Sequence, residues 1–159
     1  MFIPNYVLSY TIIMKYKGSI EIKKPQHQVV ELFLDSSSLK EYQDGFLRKV
    51  LIDGSPGRTG AVSNMYYTFG KSEMELQETI IANNLPDLFE AKYHHKHMDN
   101  TMKCKFIAID EKTTRYEYEY EYTRVSWVVP KLMAILFPSM YRKQGEKWIR
   151  QFKEFVEKQ

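Results

Sequence analysis

Thr113 to Val125 reads TTRYEYEYEYTRV, and in it Tyr116, Tyr118, Tyr120 and Tyr122 alternate with Glu117, Glu119 and Glu121. A period of two is the signature of a strand, with alternate side chains on opposite faces of its sheet. The tyrosines share one face. Interior strands usually carry Val, Ile or Leu there, whereas each phenol brings a hydroxyl that needs a partner once buried. The pattern predicts an inward face that is aromatic and partly polar.

The neighbouring segments test this by arithmetic, because residues directly opposite each other in an antiparallel pair share a face. From Phe46 to Val125 turn signals separate six strand-like runs. Nothing between them has the length or period of a crossover helix, so the sheet is predicted to be antiparallel. A two-residue turn at Gly70-Lys71 sets Tyr67 against Met74, Met65 against Leu76, Ser63 against Glu78 and Ala61 against Ile80 on the inner face. A two-residue turn at Asp99-Asn100 sets Tyr93 against Phe106 and His95 against Cys104. A three-residue turn, Asp110 to Lys112, sets Phe106 against Tyr116, Cys104 against Tyr118 and Met102 against Tyr120. Outside, Lys105 then meets Glu117 and Lys103 meets Glu119. Rings and charges both find partners, and the tyrosines face inward.

Before these strands, Tyr16, Gly18, Ile20 and Ile22 alternate with polar residues in a seventh strand that Pro25 ends. Val29, Val30, Phe33 and Leu34 then recur at helical spacing, and SSSLKEY offers serine caps for a second short helix carrying Leu39 and Tyr42. The tail begins at Pro130. A helix restarted near Pro138 puts Tyr141, Trp148, Phe152, Phe155 and Val156 on one stripe. The concave face of a twisted sheet is the large surface available to cover that stripe.

At 159 residues, 43% hydrophobic and 27% charged, the chain fits one globular domain with one core. A formal charge of +3 without a long Lys/Arg run argues against nucleic acid as a partner. The single cysteine, Cys104, excludes an internal disulfide and makes a reduced, cytoplasmic setting the expectation. Residues 1–13 are apolar, with no basic leader or cleavage site and too few residues to span a membrane, and read as an extension preceding a domain over residues 14–159. Ser126 to Pro138, SWVVPKLMAILFP, reads as a lid, a homodimer surface or a membrane-touching edge. From Lys131 onward seven basic residues face three glutamates, which suits a solvated helix face or peripheral contact with an anionic membrane surface.

Strand, two short helices, six antiparallel strands and a long final helix is the α+β helix-grip arrangement. The segment SIEIKKPQHQVVELFLDSSSLKEYQDGF resembles the opening of the START-like (SRPBCC) superfamily in its polyketide cyclase and dehydrase-like branch. Ile22, Pro25, Val29, Phe33 and Asp35 match that opening, and Tyr42 stands where a Trp is usual. The turn Gly57 to Gly60 and the final helix containing Gly145 also fit. The resemblance implies a cavity between sheet and C-terminal helix for hydrophobic or amphipathic small molecules such as lipids, sterols or polyketides. Most members bind or transport such molecules. A minority are cyclases, dehydratases or hydrolases, and others are protein-interaction modules. No universal catalytic motif comes with the likeness.

Register and stripe together nominate a ligand-binding wall of Met65, Tyr67, Leu76, Glu78, Tyr93, His95 and Phe106, continued by Tyr118, Tyr120, Trp148 and Phe152. Tyr118 and Tyr120 are preferred because they are central in their strand. Glu78 stands out as a carboxylate placed opposite Ser63 among apolar neighbours, where it either does acid–base work or bonds a tyrosine hydroxyl. Histidines His94, His95 and His97 with Cys104 invite a zinc reading, but alternation sends His94 away from the other two. With no nucleophile–base pair, metal spacing or phosphate loop, no catalytic residue, metal or cofactor is assigned, and a binding protein is the leading reading.

Overall fold

A computed structural model describes residues 14–126 and 138–159. Seven antiparallel strands form one sheet in the order β1-β7-β6-β5-β4-β3-β2. They are β1 (Met14–Ile22), β2 (Phe46–Asp53), β3 (Val62–Phe69), β4 (Ser72–Asn84), β5 (Leu88–His95), β6 (Met98–Asp110) and β7 (Thr113–Val125). Helix α1 (Gln26–Leu34), a 3₁₀ turn (Ser36–Ser38) and helix α2 (Leu39–Tyr42) lie between β1 and β2, and helix α3 (Pro138–Lys158) ends the chain. The extension 1–13 and nearly all of the apolar segment 126–138 lie outside the described residues.

The tyrosine strand pairs as its alternation predicts, with Phe106 opposite Tyr116, Cys104 opposite Tyr118 and Met102 opposite Tyr120. On its other edge Tyr120 meets Tyr16, Tyr118 meets Gly18 and Tyr116 meets Ile20. The β3–β4 register is also the predicted one, Met65 opposite Leu76 and Ser63 opposite Glu78. One hairpin differs. β5 turns into β6 at Lys96-His97 rather than Asp99-Asn100, so Tyr93 faces Asn100, His95 faces Met98 and Phe89 faces Cys104.

Asp-Asn is a strong turn dipeptide, but here it has better partners inside the ladder. Asp99 accepts from Arg124 Nε at 2.6 Å and lies 2.5 Å from His94 Nδ1, while Asn100 is buried. The earlier turn also lengthens β6 to 13 residues, matching the 13 of β7. Because the pairing moves by an even number of residues, every side chain keeps its predicted face.

Two local readings are corrected. Leu32, not Leu34, joins Val29, Val30 and Phe33 against the core, and Leu34 is exposed. The helical segment is capped by Asp35, whose carboxylate accepts from Ser37 N at 2.9 Å, and no serine side chain caps α2. The acidic side chain of Asp35 is a stronger acceptor than the hydroxyls that follow it.

Helix α3 lies in the concave face and buries Ile149, Phe152 and Val156, with Trp148 and Phe155 flanking them. Ile149 completes the stripe that the aromatic residues suggest. Lys153 Nζ donates to Glu21 O at 2.6 Å and Lys23 N to Glu157 Oε1 at 2.8 Å, tying the helix to the end of β1. On the opposite side Asp44 receives Gln151 Nε2 at 2.9 Å and pairs with Lys147.

Nearer its start the helix approaches the sheet so closely that a Cβ on Gly145 would stand 2.7 Å from the Tyr16 hydroxyl. Gly145→Ala is expected to cost about 1–3 kcal/mol through overpacking. Chemical denaturation of the single variant and of Gly145→Ala with Tyr16→Phe checks this, the pair recovering much of the loss because the offending oxygen is gone.

Candidate functional site

Following the register across the concave face gives a polar row. Ser63, Glu78, Tyr93, Asn100 and Tyr122 stand opposite one another on β3 to β7. Ser63, Glu78, Asn100 and Tyr122 are all buried. Beside it runs an apolar row, Ile80, Ala91, Met102 and Tyr120, continued by Tyr16 on β1. Ala91, 0% exposed, is the smallest side chain of this second row.

A cavity of about 100 Å³ lies over these rows. Its floor is Met65, Glu78, Ile80, Phe89, Tyr93, Met102, Tyr116 and Tyr120, and its roof is Trp148, Ile149 and Phe152 of α3. Phe33, Leu39, Tyr42 and Gln43 close the side formed by α1 and α2. The wall is mostly apolar, and its charge is concentrated at one point. Lys49 Nζ lies 2.5 Å from Glu78 Oε1, and the Tyr93 hydroxyl donates to Glu78 Oε2 at 3.2 Å. Glu78 is 4% exposed, so the ammonium and the phenol supply what water would otherwise give its carboxylate.

Lys49 marks a neck. With Leu34, Ser36 and Gly57 it lines both the cavity and an outer basin of about 540 Å³, whose other walls include Leu51, Pro56, Arg58, Ser63 and Asn83. On the roof, the Trp148 indole N–H is out of solvent and has no hydrogen-bond acceptor among the described residues. It is a donor without a partner on a cavity wall.

Six of the residues nominated from sequence meet at this cavity: Met65, Glu78, Tyr93, Tyr120, Trp148 and Phe152. The other five do not line it. Tyr67 backs the wall, stacking on Trp148 with ring centres 5.6 Å apart and donating to Gln43 Oε1 at 2.7 Å. Leu76 is buried in the core beside it. Phe106 stacks on Tyr116 and meets Phe33 edge-on, filling the end of the core near α1. Tyr118 covers Gly18 on the neighbouring strand, its hydroxyl occupying the place a Cβ would take. His95 sits at the β5–β6 turn, where its Nδ1 accepts from His97 N at 3.3 Å. His94 points to the other face and pairs with Asp99, as alternation requires.

Lys49, Gln43, Tyr42, Ile80, Met102 and Tyr116 are among the wall residues that were not nominated, with Phe33, Leu39, Phe89 and Ile149. For Ile80, Met102 and Tyr116 the register held the signal. Lys49 was hidden because β2 carries irregularities between Phe46 and Arg48 and between Leu51 and Asp53, which break its alternation.

Solved structures with the same architecture are numerous. The Zhui aromatase/cyclase from Streptomyces sp. R1128 superposes with a TM-score of 0.76 at 6% identity, over 92% of this chain and 94% of that one. Ara h 8.0201 gives 0.70 at 11% identity, over 93% and 100%. Norcoclaurine synthase from Thalictrum flavum in complex with dopamine and hydroxybenzaldehyde gives 0.66 at 14%, over 92% and 87%. No protein-family model matches the sequence, and no curated protein is similar to it.

Removing Lys49 strands a buried carboxylate. Lys49→Met is expected to destabilise the fold by on the order of 2 kcal/mol, below the full cost of breaking a buried pair because Lys49 is partly exposed. Lys49→Met with Glu78→Leu, which leaves no orphan charge, recovers most of this in urea denaturation.

Burial pushes the phenols of Tyr16, Tyr67, Tyr93, Tyr116 and Tyr120 well above their ordinary range. The folded state therefore keeps protons that the unfolded chain releases above about pH 10, and stability falls as pH rises through that point. Tyrosinate absorbance is expected to lag behind that of the urea-unfolded chain and then rise in one cooperative step with loss of near-UV circular dichroism.

Strand order, the two short helices after β1 and the helix held in the concave face together give this chain the helix-grip fold, the architecture it shares with these solved structures.

Proposed function

We propose that the protein binds a small amphipathic molecule, its ring-sized apolar part in the cavity beneath α3 and its polar part toward Lys49 and the outer basin. The observation that carries this reading is the one charged cluster, Lys49 and Glu78 with the Tyr93 hydroxyl, set toward the neck of a mostly apolar hollow. Binding pockets combine apolar walls with a few placed polar groups in this way. Scale narrows the guest. An apolar cavity of about 150 Å³ accepts benzene, and pockets for larger ligands run from about 300 Å³ upward. A hollow of about 100 Å³ is smaller than that benzene cavity, so it takes a short branched chain or most of one ring, with the remainder extending into the basin. A sterol or a long acyl chain is not accommodated without displacing α3.

The likeness to solved proteins supports the same direction, since the Thalictrum flavum enzyme of this fold is described with two small phenolic compounds. An enzymatic form of the reading has one specific observation behind it: Glu78 is a carboxyl group on the cavity wall, where a guest would lie within its reach, as acid–base work requires. Among the described residues no helix is long and apolar enough to cross a membrane.

Native mass spectrometry of gently purified protein is expected to reveal a small co-purifying molecule. Phenol or indole added to stripped protein is expected to raise its melting temperature. Ile80→Phe, which fills the floor, removes both effects while the protein remains folded by circular dichroism. A protein that carries no guest and whose melting temperature neither compound shifts would falsify the reading.

A further inference from the structure

The outer basin meets the cavity at Leu34, Ser36, Lys49 and Gly57, and its own polar groups are of a different kind. Lys49, Arg58, Ser36, Ser63 and Asn83 line it, with no carboxylate among them. Lys49 is already matched by Glu78, whose two oxygens are engaged by Lys49 and by the Tyr93 hydroxyl. Arg58 has no such partner. Arg48, Arg115, Arg124 and Arg142 each pair with an acid. No acid among the described residues reaches Arg58, and residues 1–13 and 127–137 contain neither Asp nor Glu. Its charge is the one left uncompensated at the mouth.

A second unused group lies on the same wall. Ser63 is 4% exposed and stands opposite Glu78, yet its hydroxyl makes no hydrogen bond among the described residues. Buried hydroxyls normally have a partner. The loop that carries Arg58 is fastened to β4: Gly60 N donates to Ile80 O at 2.8 Å, Ile80 N to Ala61 O at 2.9 Å, and Asn83 Nδ2 to Gly57 O at 2.6 Å. Arg58 is thus presented to the basin from a tethered support.

We propose that the outer basin is an anion site and that the guest is a small monocarboxylic acid, its apolar part in the cavity and its carboxylate on the Arg58 guanidinium and the Ser63 hydroxyl. The proposal depends on the binding function proposed for the cavity and narrows it to one ligand class. A cationic guest is disfavoured, since Arg58 repels it and both oxygens of Glu78 are engaged. A carboxylate suits a guanidinium because two parallel N–H groups meet its two oxygens. With Lys49 and Glu78 cancelling each other, one charge remains to be matched, which favours a carboxylate over a phosphate dianion.

Calorimetric titration of the full chain with benzoate, and with benzamide as its uncharged counterpart of the same shape, tests the site. Benzoate is expected to bind about tenfold more tightly, the worth of a charge-assisted hydrogen bond. Arg58→Gln is expected to remove that advantage and leave benzamide unaffected, Arg58→Lys to keep part of it, and Ser63→Ala to reduce it. Arg58 is exposed, so its variants are expected to keep the wild-type circular dichroism. Ile80→Phe, which fills the cavity floor, is expected to abolish binding of both compounds. Benzoate that binds no better than benzamide, or not at all, overturns the proposal. So does a benzoate affinity that either Arg58→Gln or Ile80→Phe leaves unchanged. In those cases binding of phenol or indole leaves the cavity reading standing, whereas failure of all four compounds removes the cavity reading and the anion site together.

Discussion

Parity along β7 governs what the concave face contains. Each side chain of a strand has one of two destinations, and a slip of one residue would exchange the two sets entirely. With Tyr116, Tyr118, Tyr120 and Tyr122 inward, the glutamates between them reach the outer surface, where Glu119 pairs with Lys15 and Glu117 with Lys105. Exposed ion pairs of this kind contribute little to stability. Their value lies in specificity, since the opposite register would bury Glu117, Glu119 and Glu121 with the lysines Lys103 and Lys105 opposite them. The aromatic interior and the charged exterior are thus two statements of one alternation.

The four tyrosines meet four different surroundings. Tyr116 is locked among Phe33, Phe106 and Phe152, Tyr118 covers Gly18, Tyr120 faces the cavity, and Tyr122 packs against Tyr16 and Tyr141. Alternation assigns a face and says nothing of the depth of the layer opposite. That depth is set by α3, which meets the sheet through Phe152 on Tyr116 and Trp148 on Tyr67 and comes closest to it at Gly145. A residue's membership of the cavity wall therefore depends on the helix as much as on the strand.

This division explains what was legible in advance. Strand number, strand direction, the inward set and the gripping helix follow from periods and turn residues alone, and they survive even where a turn is misplaced, as at Asp99-Asn100, because an even shift preserves faces. The wall was legible where strands alternate cleanly, as for Met65, Glu78, Tyr93 and Tyr120. It was not legible on β2, where two irregularities conceal the inward Lys49, nor at the end of α2, where Tyr42 in the single turn and Gln43 just after it reach the cavity. The partner of Glu78 comes from a strand 29 residues earlier, a long-range contact that local pattern does not encode.

The close approach at Gly145 has a wider implication. One missing methylene allows the helix to rest on the Tyr16 hydroxyl, so this point acts as a spacer that fixes the height of the hollow farther along. The capacity of the interior is then adjustable from a position that touches no guest, by raising or lowering the roof rather than recarving the walls. A lineage carrying this scaffold would have a route to larger or smaller cargo that leaves the polar anchor intact.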